Sequence, residues 1–149
     1  MQNISSYFQK LLDKLLAPGQ QKFSRIRIRK EVAEDIIEFA KGAYPKEFVA
    51  ALEGEIKDET LTITGLLYHP FRASETSALP DAMIPIPMTS GSIGSVHSHP
   101  SGPNTPSRQD LYSFGKTGIV HLIIKKPFRQ EDMACYNLRG EPCSFEVTD

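Results

Sequence analysis

A change of hydrophobic period near residue 30 is the feature that most limits how this chain can fold. Residues 25–29, Arg-Ile-Arg-Ile-Arg, alternate strictly between charged and apolar side chains, which is typical of a half-buried strand. From Lys30 to Gly42 the apolar residues recur at helical spacing, and Gly42 stands where the helix is expected to end. A strand followed directly by an amphipathic helix predicts an α/β domain, in which a helix covers one face of a sheet.

Later segments predict further strands of the same sheet. They are residues 47–57, 60–68, 82–87, 92–97 and 118–125, followed by a closing hairpin of residues 131–137 and 141–147. Residues 69–82 are rich in Pro, Ser and Ala and predict an irregular loop, whereas Ser107 to about Phe114 predicts a short helix. The expected fold is therefore one mixed sheet with a long early helix and a short later helix packed against it.

The chain's two cysteines lie in the two arms of the closing hairpin. A three-residue loop at residues 138–140, ending on a left-handed glycine, would place Asn137 opposite Glu141. Cys135 would then face Cys143 across the ladder, within possible bonding range. Two states stay open: a pair of reduced thiols, which a cytoplasmic setting favours, or a disulfide.

Residues 1–20 form a unit of their own, ahead of a domain that we expect to span residues 23–149. Their apolar side chains recur at helical spacing, and Pro18-Gly19 ends the pattern, so an N-terminal amphipathic helix is predicted. Three roles stay open for it. The helix packs on its own domain, it joins a partner or a second copy as a homodimer, or it lies on a membrane surface. Its weakly basic polar face argues against the membrane.

Composition excludes several classes of protein for this chain of 149 residues. The formal net charge is −1, so nothing favours nucleic acid as a partner. The sequence has no apolar run near 18 residues, and a transmembrane segment is not expected. Its start lacks the basic and apolar blocks of a secretory signal, which predicts a cytoplasmic protein.

The run His97-Ser-His99-Pro100 predicts a metal site at the end of a strand. Side chains two residues apart on a strand share a face, so His97 and His99 are placed to hold one zinc ion together. A helix that starts near Ser107 would bring Asp110 back over this strand end as a third ligand. Three protein ligands leave the fourth position for water, the pattern of a catalytic zinc. A helix capping box would by itself also explain Ser107 and Asp110.

The whole run from His97 to Asp110, His-x-His-Pro-x6-Ser-x2-Asp, resembles the signature of the JAMM (MPN+) zinc metallopeptidases. This resemblance covers about residues 25–147 and implies a single MPN domain with a mixed, curved sheet, of the compact prokaryotic, archaeal-like kind. It implies one Zn²⁺ per chain, held by His97, His99 and Asp110. It also implies that Ser107 donates a hydrogen bond to the oxyanion of the reaction, which capping permits because capping uses the oxygen as acceptor.

A second element of the family, a glutamate followed by a short apolar stretch that ends in glycine, is similar to Pro45–Gly54. The resemblance implies that Glu47 is the general base. Strand parity alone does not choose it, because Glu53 and Glu55 would share its face. His121, inside an apolar strand, is expected to be a buried structural residue, and His69 an exposed loop residue.

The family resemblance also implies a substrate. The expected reaction is hydrolysis of an isopeptide or peptide bond after the C-terminal tail of a ubiquitin-like protein, with the loops 69–82 and 100–106 as walls of the groove. Two other classes stay open. One is a non-catalytic MPN scaffold, and the other is a module that binds such a tail without cutting it.

Overall fold

The computed structural model describes residues 22–67 and 92–149. Within them lie eight strands and two α-helices. The strands are β1 (Arg25–Arg29), β2 (Val49–Lys57), β3 (Thr60–Leu67), β4 (Ser92–His99), β5 (Val120–Lys125), β6 (Met133–Asn137), β7 (Pro142–Cys143) and β8 (Glu146–Thr148). The helices are α1 (Lys30–Ala43) and α2 (Arg108–Thr117), with a 3₁₀ turn at Gln130–Asp132. Neither α-helix of these ranges is long and apolar enough to cross a membrane.

All eight described strands belong to one sheet, in the order β7-β6-β5-β4-β2-β3-β1-β8. The sheet is mixed, because β1 runs parallel to β3 and β8, and β4 runs parallel to β5, while the other pairs are antiparallel. The predicted α/β fold with one mixed sheet, a long helix and a short helix is confirmed.

The connection between the two edge strands shows that this sheet is strongly curled. Eight strands laid flat would separate β7 from β8 by about 34 Å, at about 4.8 Å per neighbour. Only Ser144 and Phe145 join them, and three Cα steps of about 3.8 Å reach no further than about 11 Å. The sheet must therefore bend round until its two edges approach each other.

Helix α1 packs on one side of this sheet with the face that the periodicity predicted. Its side chains at Val32, Ala33, Ile36 and Ala40 are buried. They join one cluster with sheet residues such as Ile28 of β1 and Ile63 of β3, all of them removed from water. Full burial of each large aliphatic side chain contributes roughly 1.5–3 kcal/mol, so this contact fixes the helix on the sheet.

The cysteine hairpin is confirmed in register but wrong in extent. Cys135 pairs with Cys143, and the Asn137 N–H donates to the Glu141 carbonyl at 2.9 Å around a turn with Gly140 at φ 78°. The arm predicted at 141–147 is instead two strands, since β7 ends at Cys143 and β8 pairs with β1 at the far edge of the sheet. The curl of the sheet brings residues 146–148 next to β1, and the main chains of β8 and β1 pair there. The local sequence carries no signal for this pairing.

Other predicted boundaries hold to within a few residues. β2 begins at Val49, two residues after the predicted start, so Glu47 lies in the segment that enters the strand. Asp58 and Glu59 both have positive φ, 50° and 58°, which suits the tight turn of a two-residue hairpin. The N-terminal helix, the strand at 82–87, the loop at 69–82 and His69 lie outside the described residues.

Candidate metal centre

Three elements meet at one end of the sheet and form the candidate site. β4 ends at His99, and β2 runs antiparallel to it with Val49 opposite His97, so Glu47 lies beside this strand end. The loop after Pro100 returns the chain to the same end, where α2 begins.

His97, His99 and Asp110 converge there on one point. The Nε2 atoms of the two histidines are 3.0 Å apart. The Asp110 carboxylate places Oδ1 at 3.2 Å from His97 Nε2 and Oδ2 at 3.3 Å from His99 Nε2. Ligands bound tetrahedrally to zinc at 2.0–2.1 Å lie roughly 3.3–3.4 Å from one another. Two imidazole nitrogens and a carboxylate at these separations therefore fit a zinc ion in both chemistry and spacing.

The charges at this point also favour a cation. Burial raises the pKa of Asp110, but hydrogen bonds from His97 and His99 outweigh it and hold that pKa well below its ordinary value. The hydrogen bond to Asp110 raises the pKa of His99, although burial opposes it. Two imidazole nitrogens and an ionised carboxylate face one another here, so a positive charge among them is stabilised, whether it is a proton on a ring nitrogen or a divalent metal.

The start of helix α2 aims Asp110 at the histidines. Ser107 is the N-cap, and its Oγ accepts a hydrogen bond from the Asp110 N–H at 3.1 Å. In return the Asp110 Oδ2 accepts from the Ser107 N–H at 2.7 Å, so the capping box expected from the sequence is present. The cap uses a lone pair of Ser107 Oγ and leaves its hydroxyl hydrogen able to donate to another acceptor.

Glu47 stands beside the three converging side chains. Its Oε1 is 4.0 Å from His97 Nε2, and its side chain is 46% exposed. Burial raises the pKa of Glu47, the positive potential of His97 and His99 lowers it, and the charge of Asp110 raises it again.

Two sets of three ligands are possible at this centre, because Glu47, His97 and His99 also offer ligand atoms within 4.8 Å of one another. The distances favour Asp110 as the third ligand. Its carboxylate lies within 3.3 Å of both imidazoles, whereas Glu47 is farther from His97 and more exposed to solvent.

His121 is buried, as expected, and its ring contacts the C-terminal end of helix α2. Its Nδ1 lies 2.7 Å from Ser95 Oγ, and its Nε2 lies 3.1 Å from the carbonyls of Phe114 and Gly118. The two carbonyls accept only, so Nε2 carries the hydrogen and Nδ1 accepts from the serine. The ring also stacks on Phe114 at 4.1 Å.

Ser98 is a residue of the candidate site that the sequence alone did not predict. It is buried, and its hydroxyl accepts from the N–H of Phe48, the neighbour of Glu47. The only local signal was a polar residue between the two histidines, on the opposite face of the strand. A serine on that face indicates a structural role only when the fold shows that the face is buried.

Comparison with known proteins identifies the family. The model for prokaryotic homologues of the JAB domain matches residues 29–139. A "Probable metalloprotease" of Haloferax volcanii is 31% identical over 134 residues, 79% of this chain and 79% of that protein.

Two solved structures share the fold. A JAB1/MPN domain protein from Archaeoglobus fulgidus is 34% identical with a TM-score of 0.62, and the match covers 83% of this chain and 99% of that one. The structure described as "JAMM: A Metalloprotease-like Zinc Site in the Proteasome and Signalosome" is 28% identical with a TM-score of 0.62, over 85% of this chain and 100% of that one.

The family match spans most of the chain and includes Glu47 and the run from His97 to Asp110. It confirms the resemblance drawn from these residues. This chain belongs to the family of prokaryotic homologues of the JAB domain.

Proposed function

We propose that this protein is a zinc-dependent metallopeptidase that hydrolyses an isopeptide or peptide bond after the C-terminal tail of a ubiquitin-like protein. One observation carries the proposal. The Nε2 atoms of His97 and His99 and the carboxylate of Asp110 converge at 3.0–3.3 Å, with the carboxylate of Glu47 beside them. Similarity to a "Probable metalloprotease" supports the peptidase class.

In this proposal His97, His99 and Asp110 hold one zinc ion, and Glu47 stays free of it. When bound, zinc polarises a carbonyl and lowers the pKa of water to about 7. Asp110 is ionised in the folded protein, and the capping box holds it in place before any metal arrives. The site is thereby preorganised, which reduces the ordering that metal binding requires.

Glu47 is the general base of this proposal. Burial raises its pKa, so its carboxylate takes a proton more readily than an exposed glutamate does. It accepts the proton of the attacking water and returns it to the leaving amine. Ser107 stabilises the negative charge that develops on the oxyanion. Its hydroxyl hydrogen is able to donate to that oxyanion while its oxygen caps the helix.

The proposed substrate class rests on the family and on the extended shape of a ubiquitin-like C-terminal tail. An extended C-terminal tail binds along the edge or groove of a sheet. The loop of residues 100–106, whose Pro103 carbonyl contacts the His99 ring, is the proposed wall of that groove. The cytoplasm is the proposed compartment. A homodimer or partner contact through residues 1–20 stays a prediction.

The deciding experiment combines metal analysis with cleavage. We expect one zinc per chain and cleavage of at least one member of a panel of ubiquitin-like fusions. A chelator should abolish cleavage and added zinc should restore it. Zinc binding without cleavage of any fusion would favour a scaffold or a tail-binding module, and the absence of zinc would contradict the proposal outright.

A further inference from the structure

We propose that Asn104 and Tyr136 are positioning residues that set the zinc affinity of the site, because they hold the Pro103 carbonyl against the ring of His99. This inference rests on the proposed zinc site and adds residues to it that lie outside the ligand set. Neither side chain is among the converging groups, and each acts through the loop that joins His99 to Ser107.

The first link is the hydrogen bond between His99 and the loop. Its Nδ1 lies 2.7 Å from the carbonyl oxygen of Pro103. A carbonyl only accepts, so Nδ1 carries the ring hydrogen, and in the neutral imidazole the lone pair is then on Nε2. Nε2 is the atom that faces His97 and Asp110. The Pro103 carbonyl therefore selects the tautomer and ring orientation that a metal requires.

The second link fixes the direction of that carbonyl. The carbonyl belongs to the peptide unit that joins Pro103 to Asn104, so any rotation of Asn104 swings it. Asn104 is held at two points. Its side-chain Nδ2 donates to the Asp132 carbonyl at 2.9 Å, and its own carbonyl accepts from the Tyr136 hydroxyl at 2.7 Å. With both points fixed, the intervening peptide has little freedom to turn.

The third link is the rigidity of the two anchors. Tyr136 lies in β6, is 6% exposed and pairs in register with His121 of β5. Asp132 is 2% exposed, and its carboxylate accepts from the Arg129 N–H at 2.9 Å. Tyr136 therefore belongs to the sheet, and Asp132 ends the 3₁₀ turn that leads directly into β6. A loop rich in Pro and Gly is thereby attached to residues that do not move with it.

The test removes single polar groups and measures zinc binding directly. Tyr136→Phe deletes one hydroxyl and keeps the ring in its packing. Asn104→Asp replaces the donor that faces the Asp132 carbonyl with an acceptor of the same shape. We expect the zinc dissociation constant, measured by competition with a chromophoric chelator, to rise roughly 10-fold to 100-fold in each variant, as for other residues that orient metal ligands.

The matched control is Tyr112→Phe. Tyr112 lies on α2, is 71% exposed, and has its hydroxyl 2.6 Å from Lys116 Nζ. This variant should bind zinc as tightly as the wild type. Nitrogen NMR of the His99 ring supplies a second readout, since the Nδ1–H tautomer should lose population in Tyr136→Phe and not in Tyr112→Phe.

The outcomes separate this inference from the proposed function. If the wild type binds zinc and Tyr136→Phe binds it equally well with the same His99 tautomer, the positioning role is overturned while the zinc site stands. A loss of zinc-free stability with unchanged zinc affinity also overturns it, because that result assigns the bonds to folding alone. If the wild type binds no zinc, the proposed function fails and this inference fails with it.

Discussion

The main-chain N–H of Phe48 donates a hydrogen bond of 2.8 Å to Oγ of Ser98, and the Ser98 N–H donates back to the Phe48 carbonyl at 2.9 Å. Ser98 stands between the two histidines, and Phe48 follows Glu47. This two-way contact therefore fixes the distance between the proposed base and the proposed ligands.

Loss of the Ser98 hydroxyl should affect turnover more than metal binding. Ser98→Ala removes the acceptor of a buried hydrogen bond, which is expected to cost about 1–2 kcal/mol of stability. Glu47 then loses part of its positioning. We expect a fall in kcat with little change in zinc affinity, measured by cleavage kinetics and chelator competition. An unaltered kcat would show that Phe48 positions Glu47 without this bond.

Replacement of Glu47 should separate binding from chemistry. Glu47→Gln keeps the size of the side chain and removes the proton acceptor, so zinc content should stay at one per chain. Cleavage should fall by roughly 10²–10⁴-fold. Glu53→Gln is the matched control, because Glu53 shared the predicted strand face but pairs opposite Gly65 in the β2–β3 hairpin. Cleavage at the wild-type rate by Glu47→Gln would contradict the mechanism.

Asp110 and Ser107 share the capping box, and two variants separate the effect of losing the helix cap from the effect of losing the proposed zinc ligand. Asp110→Ala should lose both zinc and activity. Ser107→Ala also weakens the cap, by about 0.5–2 kcal/mol, but it leaves the carboxylate ligand in place. Its zinc content should persist while the rate falls. Metal analysis that found one zinc per chain in Asp110→Ala would remove that residue from the ligand set.

Acid should destabilise the fold through His121. Burial, together with the charge of His97, lowers its pKa to about 4, although hydrogen bonds with the Gly118 and Phe114 carbonyls oppose this shift. The unfolded chain, with a histidine pKa of about 6.5, binds this proton more readily than the folded one. The contribution of neutral His121 to the free energy of unfolding is therefore complete above about pH 6.5, and it is lost as the pH falls toward 4.

The size of this effect can be checked by urea unfolding at pH 7.5 and pH 5. The His121 term should cost the wild type about 2 kcal/mol over this interval. His121→Phe keeps the stacking surface for Phe114 and removes the titrating ring. Its overall stability should be lower, but the loss between the two pH values should be about 2 kcal/mol smaller than in the wild type. Equal losses would show that His121 does not titrate in this range.

The cysteine pair should be two free thiols. Both are unoxidised in the structure, and burial raises the pKa of Cys135 far above its ordinary value, which disfavours the reactive thiolate. In the folded protein Cys143, the more exposed of the two, should react first with a thiol reagent. Denaturation without a reductant should release two titratable thiols per chain, and a titre of zero would establish a disulfide.

Local signals predicted the parts of the site that depend on neighbours in sequence. The two-residue spacing of His97 and His99 places both on one strand face, and Ser107 and Asp110 satisfy each other across one helical turn. The pairing of Cys135 with Cys143 followed from the length of one turn. In each case the controlling distance spans fewer than ten residues.

Contacts between distant segments could not be predicted in the same way. Strand parity left Glu47, Glu53 and Glu55 equivalent, and only the packing of β2 against β4 brings Glu47 within 4.0 Å of His97. The bonds of Asn104 to Asp132 and Tyr136 depend on how a loop returns to the sheet. Because no periodicity records such returns, these residues stayed unnoticed in the sequence.

The pairing of β8 with β1 sets the order in which the molecule can be completed. Arg27 and Glu146, 119 residues apart, form an ion pair of 2.7 Å across these strands. During synthesis β1 emerges from the ribosome before the other described strands. One of its edges then stays unpaired until residues 146–148 have emerged. Such distant pairing slows folding. During synthesis, β1 is therefore the strand most exposed to pairing with a wrong neighbour, and its three arginines, spaced along that edge, are charges of the kind that discourage it.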